Sequence, residues 1–294
     1  MDTKINLLFS QLFIKSFSKA RFLNDEAYNR ILYTLRTGRI ANVKNPRTFN
    51  EHILARKIYN DESNLTMYTD KYAVREYVAD TIGSGYLVRN YGVWTRCEEI
   101  DTDKLPGKFV LKATHGSGWN TLVRDKGQAN WQHITEKLNK ELKYNYYYKS
   151  REKNYRDIQP RIICEELLET KDERGLIDFK VFCFFGAARF FAITYQKNQT
   201  THYGLFFADG SPIEMKNRYE QIQDGDILLR AKEVIPLAEK LAARFDFVRV
   251  DFYLQDDKIK FSELTFHSGG GIRPIEPVSI DYMLGKFFSK EEYL

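Results

Sequence analysis

Apolar positions recur at helical spacing in the first part of the chain and again near its end. The pattern predicts that roughly the first 80 residues are mostly helical. Thr37-Gly38 supplies a C-terminal stop for the first helix, and Pro236 is expected to kink or begin the last one. The predicted helices span residues 25–40, 49–60, 70–79 and 228–245.

The clearest strand signal is a pair of short alternating segments, 247–254 and 258–265, joined by turn residues. Such a pair predicts a β-hairpin. Side chains alternate between the two faces of a strand, so Asp251 and Glu263 share one face. The residues Val250, Phe252 and Leu264 point to the other face. The sequence therefore predicts two carboxylates side by side on a sheet.

Three further segments are informative. The apolar run 109–113 predicts a strand that carries Lys112 into a glycine-rich loop. Between 203 and 227 turn signals are frequent and apolar anchors are few, which predicts an exposed connection. The segment 131–157 is polar and rich in tyrosine, which suits either stacking on sugar rings or bases, or a half-buried helix face.

Composition narrows the class of protein. The 294 residues suffice for one large core or two to three packed subdomains, and no apolar stretch is long enough to span a bilayer. The net charge of +5 is spread along the chain, so no nucleic-acid partner is expected. Cys97, Cys164 and Cys183 lack metal or redox spacing, which predicts reduced thiols and a cytoplasmic protein.

Residues 4–23 form a segment rich in aromatic and aliphatic side chains, with four basic and no acidic residues. Asn6, Ser10 and Gln11 interrupt its apolar core, which disfavours a secretory signal. The pattern predicts a basic amphipathic helix. It would either pack on the body of the protein or make a peripheral contact with the inner face of the cell membrane.

The first candidate for chemistry is Lys112 together with the loop that follows it, His115-Gly116-Ser117-Gly118. The strand delivers one cation to a fixed place, and the glycines let backbone N–H groups approach an anion. Because the lysine precedes the glycines, the spacing is not that of a Walker A or dinucleotide-binding motif. The segment suits a phosphate grip or a plain turn.

The second candidate is the carboxylate pair of Asp251 and Glu263. Two neighbouring carboxylates suit a hard divalent cation, and the alternative is a pair of solvent-facing acids. The glycine-rich loop 267–274 follows directly. Its backbone donors and Arg273 are placed to receive a transferred phosphate or a carboxylate, unless the glycines only turn the chain.

Taken together, these segments resemble the ATP-grasp superfamily, and within it the TupA-like branch of proteins similar to a teichuronopeptide-biosynthesis protein. The resemblance covers the chain from about Asn45 to about Gly285. It implies an α+β fold of the ATP-grasp type, in which two α+β subdomains grip ATP, with a short, mostly helical N-terminal region. The implied divisions are 1–68 for the helical region, 69–165 for the N-terminal subdomain and 166–294 for the C-terminal subdomain.

The resemblance also implies roles for individual residues. Lys71 and Lys112 would face the phosphates of ATP, and Glu165 or Glu166 would hold its ribose. Thr265 stands where many ATP-grasp enzymes have asparagine, and a hydroxyl is a weaker oxygen ligand than an amide. The implied ATP-binding residues are Lys71, Lys112, His115, Gly116, Ser117, Gly118, Glu165, Glu166 and Lys180; the metal ligands are Asp251, Glu263 and Thr265; the catalytic residues are Arg249, Arg273 and His115.

For function, the resemblance implies an ADP-forming carboxylate–amine ligase of cell-surface polysaccharide biosynthesis that uses ATP and Mg²⁺. Its partners would be an amine donor and a carboxylate-bearing glycan or nucleotide-sugar acceptor, the carboxylate belonging to a uronic acid or an acidic peptide side chain. Without a full α/β domain before the grasp, the acceptor is expected in an open cleft, or presented by a membrane or partner. The alternatives are a sugar kinase with His115 or Asp178 as base, and a nucleotide-binding scaffold of a glycan-assembly complex.

Overall fold

A computed structural model describes residues 21–61, 63–216 and 219–289. Most of the predicted basic amphipathic helix, residues 4–20, lies outside the described residues. Within those ranges no helix is both long enough and apolar enough to cross a membrane.

Helices dominate the first part of the chain and return near its end: α1 (Asp25–Thr37), α2 (Phe49–Tyr59), α3 (Thr66–Thr69), α4 (Val74–Ile82), α5 (Trp131–Leu142), α6 (Tyr147–Ser150), α7 (Gly225–Ala242) and α8 (Val278–Gly285). Local signals fix their ends. Asn24 caps the start of α1, and Gly38 ends it in the left-handed conformation at φ 71°. Thr48 and Glu51 form a capping box at the start of α2.

For the described residues among the first 80, the prediction of mostly helical structure is confirmed, with one shifted boundary. The third predicted helix begins at Val74 rather than at residue 70, because the Asp70 carboxylate accepts hydrogen bonds from the backbone of Tyr72 and Ala73 and holds a turn there. Pro236 lies inside α7, so the alternative that it begins this helix is wrong.

The first sheet has four antiparallel strands in the order β1-β4-β2-β3: β1 (Asn90–Trp94), β2 (Phe109–Ala113), β3 (Asn120–Val123) and β4 (Ile162–Glu166). Its apolar core includes Phe109 and Leu111 of β2, which cluster with Ile134 and Leu138 of α5. Because β4 lies between β1 and β2, Glu165 is brought next to the strand that carries Lys112.

The second sheet has six strands in the order β10-β9-β5-β6-β7-β8: β5 (Ile177–Phe184), β6 (Ala187–Lys197), β7 (Thr200–Phe207), β8 (Glu220–Gln221), β9 (Phe247–Gln255) and β10 (Lys258–Thr265). The predicted hairpin is confirmed as β9 and β10. Helix α7 packs on one face of the sheet, where Val181, Val250 and Ala238 share a core cluster. The opposite face carries most of the charged candidate residues.

Most described residues of 208–226 are exposed or half-buried, but the prediction of an exposed connection over 203–227 is wrong for the start of the segment and for two anchors. Its first residues complete β7, where Leu205 and Phe206 are buried. Farther along, Ile213 and Ile222 are also buried, although each stands alone among polar residues and turn signals. Isolated apolar residues have no detectable period, so the sequence pattern could not reveal that both pack into the core.

Candidate active site

One side of the cleft between the two sheets is built by cations gathered around Glu165. The Lys112 Nζ atom lies 2.7 Å from Glu165 Oε2, and the Arg75 Nη1 atom lies 2.8 Å from Glu165 Oε1. Burial on its own would lower the pKa of Lys112, but the charge of Glu165 raises it above the ordinary value. Lys112 is therefore held as a cation. Arg75 went unnoticed in the sequence because it lies on α4, far along the chain from its partner.

The predicted phosphate loop follows β2 and is tied to Lys71. The Lys71 Nζ atom donates a hydrogen bond of 2.5 Å to the backbone oxygen of Gly116. Gly116 is required by packing, because a Cβ atom there would lie 2.2 Å from the Trp119 ring. Gly118 is required by conformation, with φ at 74°. The glycines thus serve two different needs in one loop.

Tyrosines of the segment 131–157 pack against Trp119, which directly follows this loop. The ring of Trp119 lies 5.3 Å from that of Tyr146 and 6.1 Å from that of Tyr144, centroid to centroid, in edge-to-face contacts. Tyr146 in turn contacts Tyr155 at 4.9 Å. Burial raises the pKa of Tyr146 to about 12, so its phenol stays neutral. These tyrosines form a scaffold for the loop, a link that the sequence pattern does not reveal.

His115 faces the same scaffold. Its side chain is buried, and its Nε2 atom lies 3.1 Å from the backbone oxygen of Glu141 at the end of α5. Burial lowers the pKa of His115, which favours the neutral ring. The structure therefore places this histidine as an anchor of the loop on α5, and it does not line the cavity next to Lys112.

The second side of the cleft is the face of β9 and β10 that lies opposite α7. Glu263 lies directly opposite Asp251, and the register shift between Phe261 and Glu263 marks a bulge at this point. The Arg249 guanidinium binds the Asp251 carboxylate through two contacts of 2.7 and 2.6 Å, and its Nη2 atom lies 3.4 Å from Glu263 Oε1. The predicted pair of carboxylates on one face is present, with an arginine between them.

The pKa values of the two carboxylates are shifted in opposite directions. Burial raises the pKa of Asp251, and the neighbouring Arg249 only partly offsets this. Burial would also raise the pKa of Glu263, but the charges of Lys71 and Arg249 outweigh it, so the pKa is lowered. Glu263 is consequently the carboxylate that is ionised over the wider pH range.

The donor set fits a magnesium ion. Asp251 and Glu263 are two neighbouring carboxylates beside a cationic phosphate loop, and Mg²⁺ is commonly held by one or two carboxylates plus substrate phosphates. Within the described ranges no group of three acidic, histidine or cysteine side chains converges. The Thr265 hydroxyl donates to Glu263 at 3.0 Å and accepts from Arg249 at 3.1 Å. It orients these two groups.

The second glycine-rich loop is held by the N-terminal helices. Gly269 and Gly270 adopt left-handed conformations with φ of 59° and 62°. The Lys57 Nζ atom donates to the backbone oxygen of Gly270 at 3.0 Å, and the Asn50 side chain donates to that of Arg273 at 3.0 Å. The Asn50 backbone and side chain in turn donate to the buried Asp281. Helix α2 therefore fixes the loop that presents Arg273.

Two cavities bring most of the predicted residues together. A small one of about 60 Å³ contacts both sides of the cleft. A larger one of about 380 Å³ adjoins Lys180, Arg249 and Arg273. Glu166 lines neither cavity. The predicted residues that line the small cavity are Lys71, Lys112, Gly118, Glu165 and Glu263.

Comparisons with solved structures find distant similarity to ligases. The ADP complex of purK, N5-carboxyaminoimidazole ribonucleotide synthetase, is 14% identical over 72% of this chain and 46% of that chain, with a TM-score of 0.42. D-alanine–D-alanine ligase from Bacillus anthracis complexed with ATP is 13% identical over 68% and 54%, with a TM-score of 0.41. The chain thus spans about half the length of these proteins. Similarity at this level does not indicate a shared substrate.

No curated protein matches the chain. A family model described as TupA-like ATPgrasp matches residues 51–289. The matched range holds both sheets, the phosphate loop, the carboxylate pair and the second glycine-rich loop. The resemblance inferred from the sequence is confirmed, and with it the expected α+β class. Since the match covers well over half of the sequence, the chain belongs to the TupA-like ATP-grasp family.

Proposed function

We propose that this protein is an ADP-forming carboxylate–amine ligase that acts in cell-surface polysaccharide biosynthesis. One observation carries the proposal: the cations Lys71 and Lys112 face the Asp251–Glu263 pair across a single cleft, and Glu263 and both lysines line one cavity. The negative charge of a triphosphate is attracted by lysines. A metal ion that binds the triphosphate would also need oxygen ligands from the protein. Membership of the TupA-like family supports the same assignment.

ATP would lie in the cleft with its phosphates under the loop that contains Gly116 and Gly118. Lys71, Lys112 and Lys180 neutralise phosphate oxygens, and Glu165 is the acid next to the nucleotide. Asp251 and Glu263 would hold Mg²⁺, with Thr265 orienting Glu263. The ion, when bound, adds positive charge at the β- and γ-phosphates. Arg249 then leaves Asp251 and turns to the transferring group.

The reaction then needs no protein nucleophile. A carboxylate oxygen of the acceptor attacks the γ-phosphorus, the bond to the bridging oxygen breaks, and ADP leaves. An amine attacks the carbonyl carbon of the acyl phosphate, loses a proton and expels inorganic phosphate, which completes the amide. Arg249 and Arg273 stabilise the charge that develops on the phosphoryl and carboxylate oxygens, so the protein acts by positioning and electrostatics.

The acceptor would be a carboxylate-bearing glycan or nucleotide sugar, either a uronic acid or an acidic peptide side chain, and the second substrate an amine. The site would work at the cytoplasmic side of the cell membrane. Segment 4–23 would supply a peripheral contact there if its basic face meets anionic lipid. We assign no proton transfer to His115, because its ring is buried against α5.

The sugar-kinase alternative has less support. A kinase needs a base near the acceptor hydroxyl, and of the two candidates His115 is turned away while Asp178 is ion-paired with Lys180. A scaffold without turnover does not account for two carboxylates positioned opposite the lysines of the cleft.

The deciding experiment is mass spectrometry of products after incubation with Mg²⁺, ATP, a panel of uronic acids, nucleotide-linked uronic acids and acidic peptides, and a mixture of amines. A ligase forms ADP, phosphate and an acceptor enlarged by an amine minus water. A phosphorylated acceptor formed without amine would instead establish a kinase. Glu263→Gln should abolish turnover. Glu98 is an exposed carboxylate that follows β1, and Glu98→Gln should keep turnover.

A further inference from the structure

The face of the second sheet that carries the carboxylate pair continues beyond the ATP cleft. Directly paired residues lie on the same face of a sheet. One row of paired positions runs from Glu263 through Asp251 and Lys180 to Ala192 and Leu205, and so crosses five strands from β10 to β7. The charged machinery and a set of uncharged residues thus share one continuous surface.

The larger cavity, about 380 Å³, lies over the uncharged part of this face. Its floor is apolar: Phe182, Phe190, Ala192 and Leu205 are all buried side chains on β5, β6 and β7. Phe49 and Asn50 of α2 contribute to its wall. The short helical region therefore contributes to the wall of this pocket. Its volume is in the range of small-molecule sites.

The pocket changes character from end to end. At the end near the carboxylate pair, Lys180, Arg249 and Arg273 line it. Among the described residues no carboxylate lies within ion-pairing distance of Arg273, which is exposed. At the far end, Thr194 and Tyr203 face each other on β6 and β7, and Thr201 lies nearby on β7. Tyr203 is two strands across and two residues along from Lys180, a separation of about 12 Å.

We propose that this pocket binds the body of the acceptor and that the acceptor is a sugar acid, a hydroxylated ring that carries one carboxylate. This inference rests on the proposed ligase function. The carboxylate meets Arg273 and Lys180, next to the phosphoryl group. The C–H face of the ring lies on the apolar floor, and ring hydroxyls bond to Thr194 and Tyr203. An unbranched acidic side chain would leave both the floor and the hydroxyl groups without contacts, which favours the ring.

Binding can be measured apart from turnover. Isothermal titration calorimetry is performed on the full chain loaded with Mg²⁺ and a non-hydrolysable ATP analogue. The probes are D-glucuronate and D-galacturonate, D-glucose as the ring without a carboxylate, and glutarate as a carboxylate without a ring. We expect at least one uronate to bind more tightly than both glucose and glutarate. Equal binding of glutarate, or no binding of either uronate, overturns the inference.

Substitutions locate the bound ring. Thr194→Val and Tyr203→Phe should each weaken uronate binding about three- to tenfold, the effect of one lost hydrogen bond, and leave the ATP analogue unaffected. Tyr195→Phe is the matched control, since it removes a phenol hydroxyl on the opposite face of β6. Unchanged uronate affinity in both pocket variants would refute the proposed site.

The two proposals can fail separately. If an amide forms on an acidic peptide and neither Thr194→Val nor Tyr203→Phe changes its KM, the ligase stands and the sugar-acid pocket does not. If a uronate binds through the pocket and no amine is ever joined to it, the pocket stands and the ligase assignment fails.

Discussion

At the scale of single residues, the charged side chains of the site form ion pairs with one another. Arg249 clamps Asp251, and Glu165 accepts from both Lys112 and Arg75. The Arg249–Asp251 pair is buried enough that removal of Arg249 leaves the Asp251 carboxylate without its ion-pair partner. The same pairs occupy the groups that ATP and its metal would need, so ligand binding must exchange partners.

Arg249→Met tests this exchange. Removal of one member of a buried ion pair is expected to lower the free energy of unfolding by about 3–5 kcal/mol, because Asp251 then has no partner. Mg²⁺ together with ATP should restore part of the loss. Urea denaturation with and without the ligands measures both effects. Arg96→Met, which breaks an exposed pair with Glu99, should change stability little; a similar loss there would contradict the account.

The pH dependence of stability isolates Glu263. Its folded-state pKa lies below the ordinary 4.5, so the carboxylate contributes stability above the unfolded pKa and loses it as the pH falls through the folded value. Glu263→Gln should therefore be destabilised relative to the wild type at pH 7, with a difference that disappears in acid. Urea denaturation from pH 7 to pH 3 measures it. A difference independent of pH would count against the ionic origin.

At the scale of elements, two loops and the helices that hold them set the geometry. The first loop depends on close packing between Gly116 and Trp119, and the second on hydrogen bonds from α2. The first arrangement is local, since Gly116 and Trp119 lie three residues apart, whereas the second joins segments distant in sequence.

Gly116→Ala should displace the phosphate loop. The added methyl group would overlap the Trp119 ring, at 2.2 Å, so the ring or the loop backbone must move. We expect the affinity for Mg²⁺ and ATP to fall about tenfold or more, since small displacements of positioning groups are costly. Gly107→Ala is the control, because nothing lies within 4 Å of its added methyl. Fluorescence titration with a nucleotide analogue measures the affinities of both variants. Equal affinities of the two variants would show that this packing is unimportant.

Asn50→Ala should act through Arg273 as the loss of a positioning residue. Without the side-chain hydrogen bonds to the Arg273 backbone and to Asp281, the Arg273 end of the loop loses its tie to α2, while Lys57 still holds Gly270. We expect the KM for the carboxylate acceptor to rise about tenfold, with the KM for ATP nearly unchanged. Asn29→Ala removes an equally buried amide in α1 and should alter neither KM. Steady-state kinetics measure the two KM values for each variant. A rise in both KM values for Asn50→Ala would indicate a general loss of structure in place of a specific effect on Arg273.

The sequence predicts what is periodic and local. Gly38, the capping box at Thr48 and the alternation around Asp251 each carry a short-range signal, and the structure confirms the elements they mark. Partners far apart in sequence leave no such signal. The pairing of Arg75 with Glu165, the tyrosine support of Trp119, and the burial of Ile213 all depend on tertiary packing.

At the scale of the whole molecule, the cleft joins two sheets that each contribute half of a site. The lysines come from the first sheet and the chain before it, and the carboxylates come from the second. Neither sheet alone presents both Lys112 and the carboxylate pair. Occupation of the cleft should therefore stabilise the molecule as a unit.

Mg²⁺ and ATP together should raise the free energy of unfolding by about 2.7 kcal/mol when the ligand is at a hundredfold excess over its Kd. ATP with a chelator should give less, because Asp251 and Glu263 would then face phosphate without a bridging cation. Thermal denaturation monitored by circular dichroism provides the measurement. Equal stabilisation with and without Mg²⁺ would argue against the metal role of the carboxylate pair.

The rows of paired residues across the second sheet have a consequence for how such a protein diversifies. On this sheet, the groups proposed to bind ATP and its metal lie on β9, β10 and β5, whereas most of the pocket floor lies on β6 and β7. Substitutions at Ala192, Thr194 or Tyr203 can therefore remodel the pocket while the phosphoryl-transfer apparatus stays intact. A related protein could therefore change its substrate through substitutions on these two strands, with little effect on the groups proposed to use ATP.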